Sequence, residues 1–213
     1  MIDSELAILF QRRTQLTSDR PTGGESKLIG GGPIEGIEFR LLQMNLDHRG
    51  VFTEVYSQDW RSHDPPKQWS VVQSKAGVFR GMHLHLRHDE SFVLISGRAY
   101  VGLLDIRPHS RTEGAWSLYE LSGVPLASLM FPRGVLHGWY LAEDSCHLQG
   151  VSETWESYRL TDNHGCHWAD PELGIPWPMT TAVVSENAAA YPSLRELLRQ
   201  LEAEDRSDTR ITT

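Results

Sequence analysis

The sequence is poor in cysteine and has no long apolar segment. Its 213 residues include two cysteines, Cys146 and Cys166, and no CxxC pair, which is too few for a disulfide framework. No apolar run approaches the roughly 20 residues that a membrane-spanning helix requires. The first residues, MIDSELAILFQRR, place acidic before basic side chains, the reverse of a secretory signal peptide. These absences predict a soluble, cytoplasmic protein with no membrane partner.

Positive charge is also scarce. The chain has 20 Lys and Arg against 28 Asp and Glu, a net charge of −8, and its basic residues form no cluster. A protein that binds nucleic acid usually presents a basic surface, so nucleic acid is not expected as a partner. A few well-placed arginines are still enough to bind a phosphorylated small molecule.

Short β-type segments make up most of the chain. From residue 34 to residue 185, runs of β-branched and apolar residues alternate with turn residues at intervals of about ten residues, a pattern typical of an all-β sandwich or barrel. Residues 1–33 predict an N-terminal extension, with a short helix at Ser4–Arg13 followed by a Gly-rich flexible linker.

The last part of the chain, residues 186–213, predicts a helix and a tail. Ser193 and Glu196 have the spacing of a capping box. The leucines that follow at positions 194, 197, 198 and 201 form one apolar stripe, so we expect this helix to pack against the β domain.

Four potential metal ligands lie in the β-rich region. In GVFRGMHLHLRHDESFVLISG, His83 and His85 are two residues apart, so both point to the same side of a strand. A turn at Leu86–Asp89 places Glu90 at the start of the neighbouring strand, and His137 supplies a third imidazole from another strand. Such a set suits a divalent ion of Fe, Mn, Ni, Co or Zn. Surface or packing histidines are the alternative interpretation.

The spacing of these residues resembles the conserved motifs of the cupin superfamily. Residues 77–97 match the first motif at every defined position. The second motif is matched at Pro132, Gly134 and His137 but lacks its first Gly and its closing Asn. The resemblance implies a cupin jelly-roll, a double-stranded β-helix barrel, here with short helices at the N- and C-termini.

Further segments resemble one cupin family, the dTDP-4-dehydrorhamnose 3,5-epimerases. The similar segments occur in the same order as in the family, from about residue 34 to residue 178. They are DHRGVFTE at 47–54, GVFRGMH at 77–83, LDIR at 104–107, PRGVLHG at 132–138 and WAD through WP at 168–178.

The family resemblance assigns roles to individual residues. A family histidine that removes a proton next to a ketone corresponds to His83, and the aspartate that orients it corresponds to Asp170. The residues that hold the nucleotide and its pyrophosphate correspond to Arg49, Glu54 and Arg80, although each could instead be an ordinary surface charge. Family members form dimers that share N-terminal strands, so the resemblance also implies a homodimer.

Trp139 is a further candidate substrate contact. It follows His137 on the same face of a strand, where its ring could stack on a base or a sugar. Packing in the core is an equally good interpretation.

The chain also departs from the family at important positions. The family lysine that helps to hold the developing enolate is replaced by Glu90. The family tyrosine that protonates the opposite face of the sugar falls, by an ungapped count, on Gly150. The chain also has His85 two residues after its predicted base. These changes convert a metal-free site into a candidate metal site.

A cation could take over the role of the missing lysine by stabilising an enolate oxygen. Asp170 would then support a metal-bound His83. A metal-bound His83 cannot also be the free base, however, so His88, Tyr140 and His147 are further candidates for that role.

Three functions are compatible with the sequence. The first is an epimerase or isomerase, metal-free or metal-assisted, that acts next to the ketone of a 4-keto-6-deoxyhexose nucleotide, at a single carbon because the tyrosine is missing. The second is a metal-dependent cupin enzyme of another class, such as a dioxygenase, isomerase or lyase on a small carbonyl compound or acid. The third is a non-catalytic sugar-binding cupin.

Overall fold

The computed structural model describes residues 26–60, 63–158 and 162–211 and consists mainly of β-strands. The strands are β1 Lys27–Gly31, β2 Glu38–Leu41, β3 Met44–Asp47, β4 Gly50–Thr53, β5 Gln68–Ser74, β6 Phe79–Leu84, β7 Glu90–Ser96, β8 Arg98–Asp105, β9 Trp116–Ser122, β10 Ala127–Phe131, β11 Val135–Leu141, β12 Ser145–Val151 and β13 His164–Gly165. The helices are α1 Trp155–Tyr158, α2 Glu186–Ala189 and α3 Leu194–Ile211, with single 3-10 turns at Gln58–Trp60 and Pro171–Leu173.

Two antiparallel sheets form the body of the protein. One has the order β1-β9-β8-β11-β6-β13 and the other the order β2-β10-β7-β12-β5, while β3 and β4 form a separate hairpin. From β5 to β8 and again from β10 to β13, successive strands alternate between the two sheets. This alternation is that of a jelly-roll, as predicted from the motif spacing.

The main core lies between the two sheets. It contains Phe92 of β7, Phe131 of β10 and Trp139 of β11, which are at most 1% exposed. These strands are rich in aromatic and β-branched residues, which suit a pleated surface that is covered on its inner face. The rings of Phe131 and Trp139 have their centroids 4.6 and 5.9 Å from that of His137, so the core borders this candidate ligand.

A second apolar cluster covers the outer face of the six-stranded sheet. Helix α3 contributes Leu194 and Leu197 to it, and Leu197 is 1% exposed. The predicted capping box is confirmed, because the Ser193 amide donates to the Glu196 carboxylate and the Glu196 amide donates to Ser193 Oγ, at 3.0 and 3.3 Å. Leu198 is 37% exposed, so the apolar stripe is narrower than predicted.

The predicted linker is wrong for residues 27–31, which form β1 and pair with β9. At its end Gly31 has φ +73° and lies so close to Trp116 that a Cβ atom would overlap the Trp116 carbonyl, so only glycine permits this contact. The helix predicted at Ser4–Arg13 lies outside the described residues. Nowhere in the described ranges does a helix have the length and apolar composition needed to cross a membrane.

Strand β12 has only a weak signal in the sequence. Its sequence, SCHLQGV, has one β-branched residue and no aromatic one, so it carries little β-propensity. It is held by backbone pairing on both sides, with β5 and with β7. This strand carries Gln149, which reaches the functional site.

Candidate functional site

The turn after β6 carries the chain from one sheet to the other. Glu90 is the first residue of β7, which pairs with β10 and β12 and not with β6. The prediction that Glu90 begins the strand beside His83 and His85 is therefore wrong. Glu90 lies across the sandwich from the histidines, because successive strands of a jelly-roll alternate between sheets.

Glu90 is the centre of the histidine cluster. Its carboxylate is 3% exposed, and its oxygens lie 3.2 Å from His85 Nε2 and 3.3 Å from His137 Nε2. The Gln149 amide donates to it at 3.3 Å. Burial alone would raise the pKa of Glu90, but His137 and His85 hold that pKa well below its usual range. The structure thus brings two of the predicted ligands, His85 and His137, together around the carboxylate of the third, Glu90.

Main-chain carbonyls fix the orientation of two of the imidazoles. His85 Nδ1 lies 2.6 Å from the carbonyl oxygen of Asp162, and His137 Nδ1 lies 3.0 Å from that of Val135. A carbonyl oxygen can only accept, so each Nδ1 carries a proton and donates it. In a neutral imidazole Nε2 is then a lone-pair acceptor. Both Nε2 atoms face Glu90, an acceptor too, and this arrangement requires a proton or a cation among them.

The distances fit a bound cation. With metal–ligand bonds of about 2.0–2.2 Å, two neighbouring ligand atoms lie about 3.0–3.5 Å apart. The Nε2 atoms of His85 and His137 lie 3.2 and 3.3 Å from the Glu90 oxygens. His83, His85 and His137 also have ligand atoms within 4.8 Å of one another. These residues are therefore suited in type and position to hold a divalent metal ion.

His83 differs from the other two histidines. Its side chain is half-buried and lines a cavity of about 290 Å³. No described residue forms a hydrogen bond or ion pair with its imidazole; the ring of Tyr191 packs edge-on, with its centroid 6.1 Å away. Burial, followed by the neighbouring His137 and His85, lowers the pKa of His83 to about 3, which keeps the imidazole neutral.

Close approach of two strands positions His83 and His137. They are opposite each other on β6 and β11, next to an irregularity in the register. There Gly81, with φ +117°, lies so near Gly138 that a Cβ atom on Gly81 would be 2.6 Å from the Gly138 Cα. Glycine at this position permits the contact between the strands.

The hydrogen bond predicted between Asp170 and His83 is not formed in this structure. One oxygen of Asp170 accepts a hydrogen bond from the Glu172 amide at 2.8 Å, and the other accepts one from the Leu194 amide at 2.9 Å. Asp170 thereby caps the 3-10 turn at Pro171–Leu173 and binds the first turn of α3. Within the described part of the chain it makes no hydrogen bond to His83.

The position predicted for the family tyrosine is also corrected. Gly150 faces away from the cavity, and a Cβ atom on it would be 2.9 Å from the ring of Trp69. Gln149, the preceding residue, lines the cavity and contacts Glu90. Neighbouring strand residues face opposite sides, so the residue of β12 that faces the cavity is Gln149 and not Gly150. Neither Gln149 nor Gly150 is a tyrosine.

Two predicted substrate contacts line the cavity. Trp139 forms part of its wall although it is 1% exposed, so it both packs in the core and borders the cavity. Arg80 lies at the rim, and its Nε donates to Ser74 Oγ at 3.0 Å. The segment before α2 closes the cavity, with Val184 and Ser185 in its wall.

The other two predicted substrate contacts lie outside the cavity. Arg49 is in the turn of the β3–β4 hairpin, where it pairs with Asp47 at 2.6 Å and its side chain is 79% exposed. Glu54 is the first residue after β4, the second strand of the same hairpin. Neither residue lines the cavity of the same chain.

The further candidates for the base differ in location. Tyr140 belongs to the outer apolar cluster. His147 is fully buried, stacks on Phe92 with ring centroids 4.6 Å apart, and burial lowers its pKa to about 4. Burial would lower the pKa of His88 too, but contacts with Asp162 and Glu90 raise it to about 9. None of the three lines the cavity.

Asp162 is a site residue that the sequence did not reveal. It is 1% exposed and lies beside His85 and His88. It is more than 70 residues away in the sequence and belongs to no recognised motif, so its only signal was an acidic residue in a turn-rich segment.

Comparison with known proteins identifies relatives over most of the chain. The family model described as dTDP-4-dehydrorhamnose 3,5-epimerase matches residues 33–196. A protein of that name from Sinorhizobium fredii is 32% identical over 166 residues, which is 71% of this chain and 81% of the relative. A dTDP-4-dehydrorhamnose 3-epimerase from Streptomyces niveus is 28% identical over 160 residues, covering 71% and 76% of the two chains.

A solved structure supports the same relationship. NovW from Streptomyces spheroides, a 4-keto-6-deoxy sugar epimerase, superimposes with a TM-score of 0.70 at 28% identity. The match covers 84% of this chain and 93% of NovW. The relatives thus share the fold and include enzymes named for one carbon as well as for two.

Proposed function

This chain belongs to the dTDP-4-dehydrorhamnose 3,5-epimerase family, and we propose that it changes the configuration of one carbon next to the ketone of a 4-keto-6-deoxyhexose nucleotide. The observation that carries the proposal is the position and the neutral state of His83. By its sequence motif it corresponds to the family base, and in the structure it lines the cavity and has a neutral imidazole. An unprotonated base is what removal of a proton next to a ketone requires.

We propose that His83 is the base and that His85, Glu90 and His137 hold a divalent cation. Glu90 lies within 4.0 Å of His85 and His137, and no such contact to His83 is found among the described residues. This division removes the conflict between His83 as ligand and His83 as base. Bound there, a cation would stabilise negative charge on the ketone oxygen, the role of the lysine that Glu90 replaces.

The proposal of a single carbon depends on Gln149. An amide cannot donate a proton as a phenol does, so Gln149 cannot replace the family tyrosine. The new proton on the face opposite His83 would come from solvent water, and only a carbon that water reaches on that face would change configuration. The relative from Streptomyces niveus, named as a 3-epimerase, is a precedent within the family for reaction at one carbon.

The nucleotide would be bound by residues of two chains. Arg80 at the rim is suited to a pyrophosphate. Arg49 and Glu54, on or beside the exposed hairpin, would reach a cavity only in another copy. The hairpin presents Leu46 and Phe52, 69% and 65% exposed, an apolar surface that a partner would cover. We therefore propose a homodimer in which each hairpin completes the partner's site.

Deuterium uptake tests the proposed function. The protein is incubated in deuterated water with dTDP-linked and other nucleotide-linked 4-keto-6-deoxyhexoses, and the sugar is analysed by mass spectrometry and NMR. We expect one deuterium, at one carbon flanking the ketone. Uptake at neither carbon with every nucleotide would refute the proposal, and uptake at both would refute reaction at a single carbon.

The histidines around Glu90 also favour a second candidate, a metal-dependent cupin enzyme of another class, such as a dioxygenase or lyase on a small carbonyl compound. The test is elemental analysis of tag-free protein, with Glu90→Gln and His85→Ala as variants. Stoichiometric metal that is lost in both variants, together with no deuterium uptake, would favour this candidate. A protein with neither metal nor turnover would be a sugar-binding cupin.

A further inference from the structure

Asp162 lies behind the candidate cation site and is almost fully buried. Its carboxylate accepts hydrogen bonds from the Leu86 and Arg87 amides, at 2.7 and 3.1 Å. Its main-chain carbonyl accepts the hydrogen bond from His85 Nδ1 at 2.6 Å. One residue thus holds both the turn that follows β6 and the imidazole at its start.

His88 connects Asp162 to Glu90. Its Nδ1 lies 2.9 Å from Asp162 Oδ2, and its Nε2 lies 3.5 Å from Glu90 Oε1. The ring is also stacked on His85, with centroids 4.1 Å apart and planes inclined by 30°. A movement of His88 would therefore disturb both His85 and Glu90.

The same residues could be taken for a second metal site, because His85, His88 and Asp162 have potential ligand atoms within 4.8 Å of one another. Their hydrogen bonds argue against this interpretation. The Asp162 oxygens already accept two amide protons, and His85 Nδ1 donates to a carbonyl, which leaves it no lone pair for a metal. The cluster is better suited to hold ligands in place than to act as ligands.

We propose that Asp162 and His88 are positioning residues that orient His85 and Glu90 for a divalent cation. The inference rests on the cation site of the proposed function and extends it to residues that do not touch the ion. Residues that hydrogen-bond to metal ligands fix the ring orientation and the tautomer of those ligands, and their loss typically weakens metal binding about 10–100-fold.

Metal affinity measures this role without depending on turnover. Full-length, tag-free protein is freed of metal with a chelator and titrated with Zn²⁺ and with Co²⁺ by calorimetry, with the Co²⁺ visible spectrum as a second readout. Wild type is expected to bind one ion per chain. Asp162→Asn is expected to bind it about 10–100-fold more weakly, because its amide group cannot accept from both the turn and His88.

Asp105→Asn is the matched control. Asp105 is also a buried carboxylate, 0% exposed, and accepts hydrogen bonds from Arg107, Ser110 and Thr112 away from the histidines. Its substitution is expected to lower stability but to leave the metal affinity unchanged. If Asp162→Asn does not fold, as judged by circular dichroism, His88→Gln tests the same connection and is expected to weaken binding similarly.

Three outcomes would overturn the inference. Wild-type affinity in folded Asp162→Asn and His88→Gln would show that neither residue positions the ligands. Two ions per chain would show that the cluster is itself a metal site. No binding by the wild type would remove the cation site and this inference with it, whereas the epimerase proposal is judged separately by deuterium uptake.

Discussion

Glu90 is the residue by which the histidine cluster differs most from the site expected of the family. By the family resemblance, a lysine at that position would hold positive charge beside the ketone. Glu90 instead places a carboxylate within 3.3 Å of two imidazole Nε2 atoms. Isolated buried charge is costly, so the carboxylate needs positive charge nearby. The surrounding histidines provide this, either by binding protons or by sharing a cation with Glu90.

His147 is expected to make the protein sensitive to acid. Its pKa is lowered from 6.5 to about 4 by burial, so between these pH values the unfolded chain binds a proton that the folded chain does not. Stability therefore falls as pH decreases through this window, by up to about 1.4 kcal/mol per pH unit. Urea unfolding at pH 6.5 and pH 4.5 measures the loss.

His147→Leu is the comparison for this prediction. The variant should lose less stability than the wild type between the two pH values, since it has no group to protonate at this position. An equal loss in both proteins would mean that His147 takes up its proton as easily in the fold as in the unfolded chain.

Sequence spacing was sufficient to predict the cluster of His83, His85, Glu90 and His137, because residues close in sequence or on paired strands have few ways to be arranged. It could not predict Asp162, whose contact with His85 joins residues 77 positions apart. Contacts of this kind depend on how a loop returns across a sheet, and one sequence does not reveal that.

Among the elements, β12 and the segment before α2 form part of the cavity wall. Strong β-propensity marks most of the other strands in the sequence, whereas β12 is a strand because it pairs with two neighbours and not because of its composition. Because the strand is hard to recognise, the sequence alone does not show that Gln149 faces the cavity. The alternation of sheets also moved Glu90 from beside the histidines to the opposite sheet.

Asp170 is expected to stabilise the fold as a cap. Asp170→Ala removes the acceptor for the Glu172 and Leu194 amides and should lower the free energy of unfolding by about 1–2 kcal/mol. Asp170→Asn, which keeps one carbonyl oxygen, should lose less. The free energy is measured by urea titration. A large loss of deuterium uptake in Asp170→Asn at unchanged stability would instead assign Asp170 to His83, as in the family.

Helix α3 offers a matched pair of leucines. Leu197 is 1% exposed against the six-stranded sheet, whereas Leu198 is 37% exposed. Leu197→Ala should lower the free energy of unfolding by about 2–5 kcal/mol, and Leu198→Ala by about 0.5 kcal/mol or less. Equal effects in urea titrations would contradict the packing of α3 described here.

At the scale of the whole molecule, the β3–β4 hairpin presents two apolar side chains, Leu46 and Phe52, that the described residues leave 69% and 65% exposed. Phe52→Asp places a charge on its apolar surface and should convert the proposed dimer to monomers in sedimentation velocity, since burying an unpaired charge is costly. Val124→Asp, at a residue 67% exposed in the β9–β10 loop, is the control and should leave the dimer intact.

The dimer prediction also concerns activity. Monomeric Phe52→Asp should show reduced deuterium uptake, because Arg49 and Glu54 would no longer reach a partner's cavity. A wild-type protein that is monomeric at micromolar concentration, or a monomeric variant with full activity, would contradict a site completed by two chains.

The central claim is that the cavity around His83 removes a proton from the carbon next to a ketone. The most direct measurement is the rate of deuterium incorporation into a 4-keto-6-deoxyhexose nucleotide by His83→Ala and by a control, His109→Asn. His109 is exposed in a loop with φ +67°, a conformation that Asn accepts. We expect the rate to fall about 10²–10⁴-fold in His83→Ala and to stay unchanged in His109→Asn. A folded His83→Ala variant with the wild-type rate would contradict the account.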